Sequence, residues 1–368
     1  MILPEPFDLI ILGAGIAGLS VADAAIQQGK RCLIVDSKDP GGGASGAPMM
    51  LINPATGRRA KKAWKAEESF GAISGLLNRV QEQSKHSFFD QNGVLRPALT
   101  EKIADDFKMS DSKYNWDHGW LEWLDKPEFS SRFPFIGNHY GGLVVSNAIT
   151  LLGDIFLKSF SRYLKKNNLH TSYGHEPEIF RKNDDWFVDT GCGVEYTSKI
   201  VVDATGWNQT KNGYWNFLPL HPVKGQLATY FFEENPKLPH SISSLGYMAV
   251  TKIKPKQITV GSTYEHDFKD LKTTPQASAY LRKKFENTLP GFLEKSIYSR
   301  QWASLRVSLP DKMPVIGPHP EFKGLYIIGA FGSKGLLLST LVAGQLVRQI
   351  FEDLHPNKKI SISRFLQP

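Results

Sequence analysis

The segment DLIILGAGIAGLSVADAAIQQGKRCLIVD, residues 8–36, decides the fold that we predict for this chain. It opens with an apolar run typical of a buried strand, and residues 19–28 have the alanine-rich composition of a helix that ends at Gly29. A second apolar run, 31–35, predicts another strand with Asp36 at its carboxyl end. Strand, glycine turn, helix and strand in this order predict a right-handed crossover unit of a parallel sheet.

The turn in this unit carries the pattern G-x-G-x-x-G at Gly13, Gly15 and Gly18. The first glycine permits the turn, the second lets the backbone approach a pyrophosphate, and the third lets the helix pack on the strand. The helix that follows presents free N–H groups and the positive end of its dipole to phosphates. Asp36, 18 residues after Gly18, is placed to accept hydrogen bonds from ribose hydroxyls. The unit therefore predicts a dinucleotide site whose contact residues are Gly13, Gly15, Ile16, Ala17, Gly18, Asp36 and Ser37.

Two further glycine turns bear on the choice between FAD and NAD. The stretch GGGASG at 41–46 comes soon after the ribose acid, where Ala44 and Ser45 can wrap the distal phosphate and approach an isoalloxazine ring. A third apolar strand, 199–204, ends in Thr205 and Gly206, which offer another close backbone approach. Each turn alone is equally compatible with a surface loop. Their order along the chain favours FAD, with NAD as the alternative.

The composition is that of a globular protein, with 41% apolar residues over 368 positions, and it excludes a disordered, collagen-like or disulfide-rich chain. This length predicts two domains or one large one. The two cysteines, Cys32 and Cys192, are too few for a disulfide framework or a four-ligand zinc site, and we predict that they are packing residues. They indicate a reducing compartment, and the opening MILPEPFD lacks the basic residues of a secretory signal, so the sequence predicts a cytoplasmic protein.

Charge and patterning exclude further classes. The net charge of +8 permits an anionic partner but does not require one. The one long apolar stretch, 9–26, is divided by strand and helix signals, so no membrane span is predicted. The ten histidines form no metal-binding spacing, and no Ser-His-Asp set is recognisable, so no metal site is predicted.

Parallel-sheet patterns recur at the start, middle and end of the chain, and antiparallel patterns lie between them. This alternation predicts an α/β fold in which an FAD-binding Rossmann-like domain is interleaved with an antiparallel-sheet α+β substrate domain. The predicted FAD-binding domain comprises 1–85, 144–220 and 296–368. The predicted substrate-binding domain comprises 86–143 and 221–295.

Two local predictions concern segments within these domains. Residues 149–166 have a helical period and predict one helix. Trp116, Trp120 and Trp123 recur at spacings of four and three, which predicts one face of a helix. Core packing is the simplest role for these tryptophans, and a lid or a partner surface is the alternative.

Several segments resemble the FAD-dependent D-amino-acid-oxidase family, which includes glycine oxidase and sarcosine oxidase. Besides residues 8–36 and GGGASG, they are VVDATG at 201–206, HPVKGQ at 221–226, GYMAVTKIKPKQITVGSTYE at 246–265 and SLRVSLPDKMPVIGPHPEFKGLYIIGAFGSKGLLLSTLVAGQ at 304–345. The resemblance implies oxidation of a C–N bond next to a carboxylate. In that family hydride passes from carbon to flavin N5, and the imine then hydrolyses in water. The resemblance leaves open whether oxygen or another acceptor takes the electrons.

The resemblance also implies substrate residues. Arg306 matches the strand position at which glycine oxidase places its carboxylate-binding arginine, and Tyr247 matches a family tyrosine that contacts substrate. A solvated or ion-paired arginine and a half-buried sheet tyrosine are the structural alternatives. Glycine oxidase carries a second arginine on its closing loop, and Ser333, followed by Lys334, takes that place here. This departure weakens the expectation of glycine or sarcosine as substrate.

The resemblance extends to the flavin edge. The turn Gly332, Ser333, Lys334 and Gly335 opens the last predicted helix, which continues with Leu336, and its N–H groups are expected to stabilise negative charge at N1 and O2 of the reduced ring. Lys334 is expected to add to this charge stabilisation or to steer an anionic substrate, with a solvated loop lysine as the alternative. Sarcosine oxidase attaches its flavin through a cysteine, and Ser304 stands at the matching position here. We therefore predict non-covalent FAD.

The GSKG turn and the ASG stretch that precedes Asn-Pro are also similar to the FAD half of the bifunctional bacterial enzyme that matures carboxymethylaminomethyl-uridine in tRNA. That resemblance implies oxidative removal of a carboxymethyl group from a wobble uridine. Two basic clusters suit tRNA phosphates, although each is also compatible with a solvated face: Arg58, Arg59, Lys61, Lys62 and Lys65, and Lys252, Lys254 and Lys256. A flavin-binding sensor or interaction protein without turnover is the remaining alternative. The sequence does not indicate the oligomeric state.

Overall fold

The computed structural model describes residues 5–191, 193–244 and 246–366. Its helices are α1 (Ile16–Gln27), α2 (Ala66–Glu82), α3 (Glu101–Lys108), α4 (Ser110–Tyr114), α5 (Lys126–Arg132), α6 (Gly153–Lys166), α7 (Pro275–Thr288) and α8 (Gly335–Glu352). Its strands are β1 (Leu9–Leu12), β2 (Cys32–Asp36), β3 (Met50–Ile52), β4 (Ala55–Thr56), β5 (Lys61–Lys62), β6 (Phe89–Asp90), β7 (Val94–Pro97), β8 (Leu121–Leu124), β9 (Gly142–Val145), β10 (Ile149–Leu151), β11 (His170–Tyr173), β12 (Glu178–Lys182), β13 (Asp185–Asp189), β14 (Glu195–Ser198), β15 (Val201–Asp203), β16 (His221–Phe232), β17 (Ser241–Ser243), β18 (Tyr247–Ala249), β19 (Gln257–Gly261), β20 (Ser296–Ser308), β21 (Val315–Pro318) and β22 (Leu325–Gly329).

A six-stranded sheet in the order β11-β2-β1-β15-β22-β21 forms the first layer. All its neighbours run parallel except β21, which pairs antiparallel with β22 at the edge. Leu9 and Ile11 of β1 pack into one core cluster, and Ile10 and Leu12 pack into another, so both faces of the sheet are covered. This burial explains why the strand reads as a continuous apolar run. Helices α1, α2 and α8 pack against one another on one side.

An eight-stranded sheet in the order β20-β16-β19-β18-β17-β7-β9-β8 forms the second layer. Its strands pair antiparallel except β17 and β7, which run parallel. Helix α7 packs against this sheet through Leu281 and Phe285, which lie in a cluster with Ile258 and Val260 of β19. The predicted fold class, a parallel Rossmann-like unit interleaved with an antiparallel α+β unit, is confirmed.

The opening crossover unit forms as predicted, except that α1 begins at Ile16 rather than at residue 19. The single helix predicted at 149–166 is wrong at its start, because residues 149–151 form β10, which pairs with β3 and β6. Helix α6 begins only at Gly153. For residues 149–151, pairing with strands distant in the sequence therefore determines the conformation, although their spacing is helical.

The prediction that the three tryptophans share one helical face is wrong. Trp116 and Trp120 follow the end of α4, and Trp123 lies in β8. Gly119, between them, has a left-handed φ of 80°, which interrupts any helical path. Trp116 and Trp120 nevertheless pack into the core, which is the role predicted for them as the simplest one. The packing predicted for Cys32 is observed in β2, whereas Cys192 lies outside the described residues.

The predicted domain boundaries stay a prediction. Two strands differ from them: β20, at 296–308, lies within the predicted FAD-binding segment but pairs with β16 in the antiparallel sheet, and β9 spans the boundary at residue 143. Within the described part of the chain, no helix is long and apolar enough to cross a membrane.

Candidate functional site

A cavity of about 640 Å³ is lined by residues of both sheets. Most of the residues predicted to contact cofactor or substrate line it. They are Gly13, Gly15, Ile16, Ala17, Asp36, Ala44, Ser45, Thr205, Gly206, Tyr247, Arg306, Gly332, Ser333, Lys334, Gly335 and Leu336. Gly18 and Ser37 are not among the lining residues. Residues scattered over more than 300 sequence positions therefore meet in one cavity.

The first glycine turn has no room for side chains. Gly13 has a φ of 104°, and a Cβ placed there would lie 2.6 Å from the carbonyl oxygen of Ala204. A Cβ on Gly18 would lie 1.9 Å from the carbonyl oxygen of Gly13. Gly18 therefore acts through close packing of α1 on the turn. Helix α1 begins after Gly15, which has no side chain to cap it, and its first turn has no acidic residue. Its dipole and the N–H groups that follow Ile16, whose own N–H is bonded to Ser45, favour an anion.

Asp36 connects the end of β2 to this turn. Its carboxylate accepts hydrogen bonds from the backbone N–H of Ala14, at 2.6 Å, and of Lys38, at 2.9 Å. Burial raises the pKa of the Asp36 carboxyl, and these two hydrogen bonds oppose the increase. Ser45 reaches the same turn from 41–46, where its Oγ accepts a hydrogen bond from Ile16 N–H at 3.1 Å.

The other turns of the cavity come from the middle and the end of the chain. Thr205 and Gly206 follow β15, and Gly206 has a left-handed φ of 64°. Gly332 precedes α8, and its N–H donates to the carbonyl of Val307 in β20 at 2.8 Å, which ties this turn to the antiparallel sheet. Helix α8 also begins without a side-chain cap or an acidic first turn. Its N–H groups are therefore available to an anionic group.

Arg306 is half-buried on β20. Its Nη2 donates to Ser262 Oγ at 3.2 Å and to the carbonyl of Thr263 at 3.1 Å, and the guanidinium lies 4.5 Å from the ring centroid of Tyr264. Among the described residues no ion pair includes Arg306. The charge is thus oriented in the cavity without a protein carboxylate to neutralise it.

Tyr247 lies on β18. Its hydroxyl donates to the carbonyl of Met49 at 3.0 Å. Burial raises the pKa of the Tyr247 phenol well above its usual value, and the nearby charge of Arg306 opposes this only in part. The phenol therefore stays protonated at neutral pH, and its oxygen is left to accept a hydrogen bond from a ligand.

Lys334 directly precedes α8, and its Nζ donates to the backbone carbonyl of Lys312 rather than capping the helix. Burial lowers the pKa of the Lys334 ammonium, the carboxylate of Asp311 opposes this, and the charge of Lys312 adds to it. The predicted roles of Lys334 at the flavin edge or in substrate steering stay predictions.

A line of residues crosses the face of the antiparallel sheet, and of its members only Tyr247 was predicted from the sequence. The register pairs Trp302 with Leu227, Leu227 with Gly261, Gly261 with Tyr247, and Tyr247 with Ser243. Arg96 of β7 continues the line, because its Nη1 donates to Ser243 Oγ at 3.4 Å. All of these residues line the cavity. No local sequence signal marks them, since their alignment depends on strands far apart in the chain.

The first basic cluster is largely neutralised. Arg59 pairs with Asp106 at 3.2 Å, Lys62 with Glu67 at 2.5 Å, and Lys65 with Glu68 at 2.7 Å. Arg58 is exposed and lines the cavity, and Lys61 is exposed nearby in sequence. No ion pair involving Arg58 or Lys61 occurs in the described ranges. Lys252, Lys254 and Lys256 do not line the cavity.

The residues fit FAD, because four backbone turns, the N-termini of two helices and the carboxylate of Asp36 surround a single cavity beside a second sheet. Fold and site together define a flavin-dependent oxidoreductase. The profile of the DAO family, described as FAD dependent oxidoreductase, matches residues 8–349, so the chain belongs to that family. The family, the fold class, the cofactor FAD and the enzyme class predicted from the sequence are confirmed.

Individual relatives cover most of the chain at low identity. The chain is 24% identical to glycine oxidase of Pseudomonas aeruginosa over 90% of this chain and 91% of that protein. It is 22% identical to monomeric sarcosine oxidase of an Arthrobacter species, over 100% and 98%. It is 21% identical to the tRNA 5-methylaminomethyl-2-thiouridine biosynthesis bifunctional protein MnmC of Acinetobacter baylyi, over 97% of this chain but 56% of that protein. The chain thus spans little more than half the length of that bifunctional relative.

Solved structures show the same fold. Glycine oxidase from Geobacillus kaustophilus superposes with a TM-score of 0.85 at 20% identity, over 98% of both chains. Iminodiacetate oxidase from Chelativorans sp. superposes with a TM-score of 0.81 at 18% identity, over 97% of this chain and 98% of that chain.

Non-covalent attachment of FAD is a testable prediction. Ser304, which the resemblance matches to the flavin-attaching cysteine of sarcosine oxidase, lines the cavity, and Cys32 is buried in β2. Precipitation of the purified holoenzyme with acid is therefore expected to release all the yellow colour into the supernatant. Colour that stays with the pellet after repeated washing would show that the prediction is wrong.

Proposed function

We propose that the protein oxidises the C–N bond of an amine that carries a carboxylate, either an N-substituted glycine or an amino acid. The observation that carries this proposal is Arg306, a fixed guanidinium without a protein counter-charge, in the cavity of the dinucleotide turns. A guanidinium binds a planar carboxylate through two parallel hydrogen bonds. The cytoplasmic location predicted from the cysteine content stays a prediction.

The chain's own residues orient the substrate and exclude water. Arg306 holds the carboxylate, and the Tyr247 oxygen, fixed by the bond to Met49, accepts a hydrogen bond from the amine. FAD supplies the hydride acceptor when it is bound, so the protein needs no nucleophile of its own. The imine product hydrolyses in water to an amine and a carbonyl compound.

Anaerobic mixing with candidate amines tests this proposal. Sarcosine, iminodiacetate, glycine, D-alanine and D-proline are added to the holoenzyme, and bleaching of the flavin absorbance is followed. We expect at least one of these carboxylate-bearing amines to bleach the flavin, whereas dimethylamine, which lacks the carboxylate, does not. Bleaching that is equal with and without the carboxylate, or no bleaching by any amine, would refute the proposal. Admission of air and a peroxide assay then show whether oxygen reoxidises the flavin.

A second candidate is oxidative removal of the carboxymethyl group from a modified wobble uridine in tRNA. Exposed Arg58 at the cavity and Lys61 favour it, because both charges are available to phosphates. It predicts that the holoenzyme binds tRNA with an affinity that falls linearly with the logarithm of the salt concentration.

Paired variants test this second candidate. If tRNA binds, Arg58→Gln combined with Lys61→Gln should weaken binding more than Arg59→Gln combined with Lys65→Gln, because Arg59 and Lys65 are already paired with acids. Absence of a gel shift at low salt with flavin-loaded protein would exclude the tRNA candidate.

A further inference from the structure

Arg96 is a buried guanidinium in the wall of the same cavity. Its side chain lies on β7 and is only 3% exposed. Nη1 donates to the carbonyl of Ala55 at 2.6 Å and to Ser243 Oγ at 3.4 Å, and Nη2 donates to the carbonyl of Gly57. Nε is buried and has no hydrogen-bond partner. The edge formed by Nε–H and Nη2–H, which matches the fork of a carboxylate, is therefore not fully used.

The charge of Arg96 also lacks a counter-charge. Burial lowers the pKa of the Arg96 guanidinium to about 10, so the group stays protonated at neutral pH. Throughout the described ranges no acidic side chain forms an ion pair with it, and its guanidinium carbon lies 5.6 Å from the ring centroid of Phe107. A buried charge without a partner is costly, and an anion that binds beside it recovers part of that cost.

The partners of Arg96 lie on the cavity side. Ala55, Gly57 and Ser243 all line the cavity, as Arg96 itself does. Ser243 is the cross-strand neighbour of Tyr247, so Arg96 lies beyond Tyr247 on the line of residues across the sheet. The line therefore connects a ligand position at Tyr247 with Arg96 through Ser243.

The register also gives the span between the two serines that the guanidinium groups contact. Arg306 reaches Ser262, which directly follows β19, and Arg96 reaches Ser243, which ends β17. One strand, β18, separates β17 from β19. With neighbouring strands ~4.8 Å apart, these two serine positions are separated by roughly 10 Å, and a ligand that bridges them is probed at this length.

We infer that Arg96 forms a second carboxylate subsite, so that the substrate carries anionic groups at both ends, one at Arg306 and one at Arg96. This inference rests on the proposed function only in that Arg306 binds the first carboxylate. A competing explanation is that Arg96 serves only to hold the segment 55–57 through its two carbonyl contacts. That structural role gives no preference for a ligand with a second charge.

Two non-oxidisable acids of equal length probe the subsite. Azelate carries two carboxylates, which lie roughly 10 Å apart when the chain is extended, and nonanoate carries only one. Each is titrated into FAD-loaded protein, and binding is followed by calorimetry and by the perturbation of the flavin absorbance. We expect azelate to bind at least tenfold more tightly than nonanoate to the wild type. Glutarate, which is too short to reach both sites, should show no such advantage over pentanoate, the monocarboxylate of equal length.

Variants assign the preference to Arg96. We expect Arg96→Gln to bring azelate and nonanoate to nearly equal affinity, whereas Arg58→Gln, which removes the other unpaired arginine near Arg96, keeps the preference. Equal binding of both acids by the wild type, or an unchanged preference in Arg96→Gln, overturns the inference. If Arg96→Gln does not fold, Arg58→Gln decides. Loss of the preference in that variant assigns it to Arg58 and overturns the inference, whereas a kept preference supports Arg96, the remaining arginine of the cavity lining besides Arg306. Neither acid is oxidised, so failure of this inference is separate from failure of the proposed function.

Discussion

Replacement of Arg306 by Gln is expected to lower kcat/KM for a carboxylate-bearing amine by about a hundredfold, because a charge-assisted, two-point contact worth ~3 kcal/mol is lost. Arg306→Lys keeps the positive charge but loses the forked, two-point contact. Its kcat/KM should therefore lie between those of Arg306→Gln and the wild type. The measurement is the rate of anaerobic flavin bleaching against amine concentration.

Arg300→Gln is the matched control, since Arg300 lies on the same strand, is exposed, and does not line the cavity. It should leave the bleaching rate within a factor of about two, as expected for a surface substitution worth less than ~0.5 kcal/mol. An Arg306→Gln enzyme that discriminates as well as the wild type between amines with and without a carboxylate would contradict the role assigned to Arg306.

Gly18→Ala is expected to abolish FAD binding and to lower the free energy of unfolding by about 3 kcal/mol. The added Cβ would lie 1.9 Å from the carbonyl oxygen of Gly13, which is backbone and cannot rotate away, so α1 and the glycine turn must separate. Flavin content after purification and urea unfolding of the apoprotein measure the two effects.

Gly344→Ala provides the comparison, because Gly344 lies within α8 and a Cβ added there meets no atom within 4 Å. It should leave flavin content unchanged and raise the free energy of unfolding by up to ~1 kcal/mol, as alanine is the better helix former. Full flavin content in Gly18→Ala would contradict the prediction, because it would show that the glycine turn can move enough to accept a Cβ and still bind FAD.

The cofactor half of the site was predictable because its signals are local. Gly13, Gly15 and Gly18 lie within one turn, and Asp36 ends the next strand, so a short stretch of sequence carries the whole geometry. The burial of both faces of β1 likewise follows from its continuous apolar run.

Two predictions from local helical spacing were wrong, one because of pairing with distant strands and one because of a glycine in a left-handed conformation. Residues 149–151 have helical spacing, but hydrogen bonds to β3 and β6 make them a strand. The tryptophans at 116–123 also have helical spacing, yet Gly119 adopts a left-handed conformation that glycine alone takes at little cost. In these two segments the periodicity of the sequence correctly predicts that residues are buried, but it does not predict whether they lie in a helix, a strand or a loop.

The substrate half was harder to predict for the same reason. Arg96 and Ser243 are 147 residues apart, and only the parallel pairing of β7 with β17 brings them together. Tyr247 and Arg306 were found through family resemblance, whereas Arg96 has no motif around it. Its significance follows from burial and a missing counter-charge, and both are properties of the folded chain.

The position of β22 inside the parallel sheet, between β15 and β21, bears on how the enzyme is made. Ribosomes deliver a chain from its amino end, so the first glycine turn exists long before residues 325–352 complete the sheet and the helix behind it. Until those residues emerge, the edge of β15 lacks a neighbour and is open to pairing with other nascent chains. Flavin loading is therefore expected only after residues 325–352 have been synthesised, and the incomplete sheet is exposed to aggregation until then.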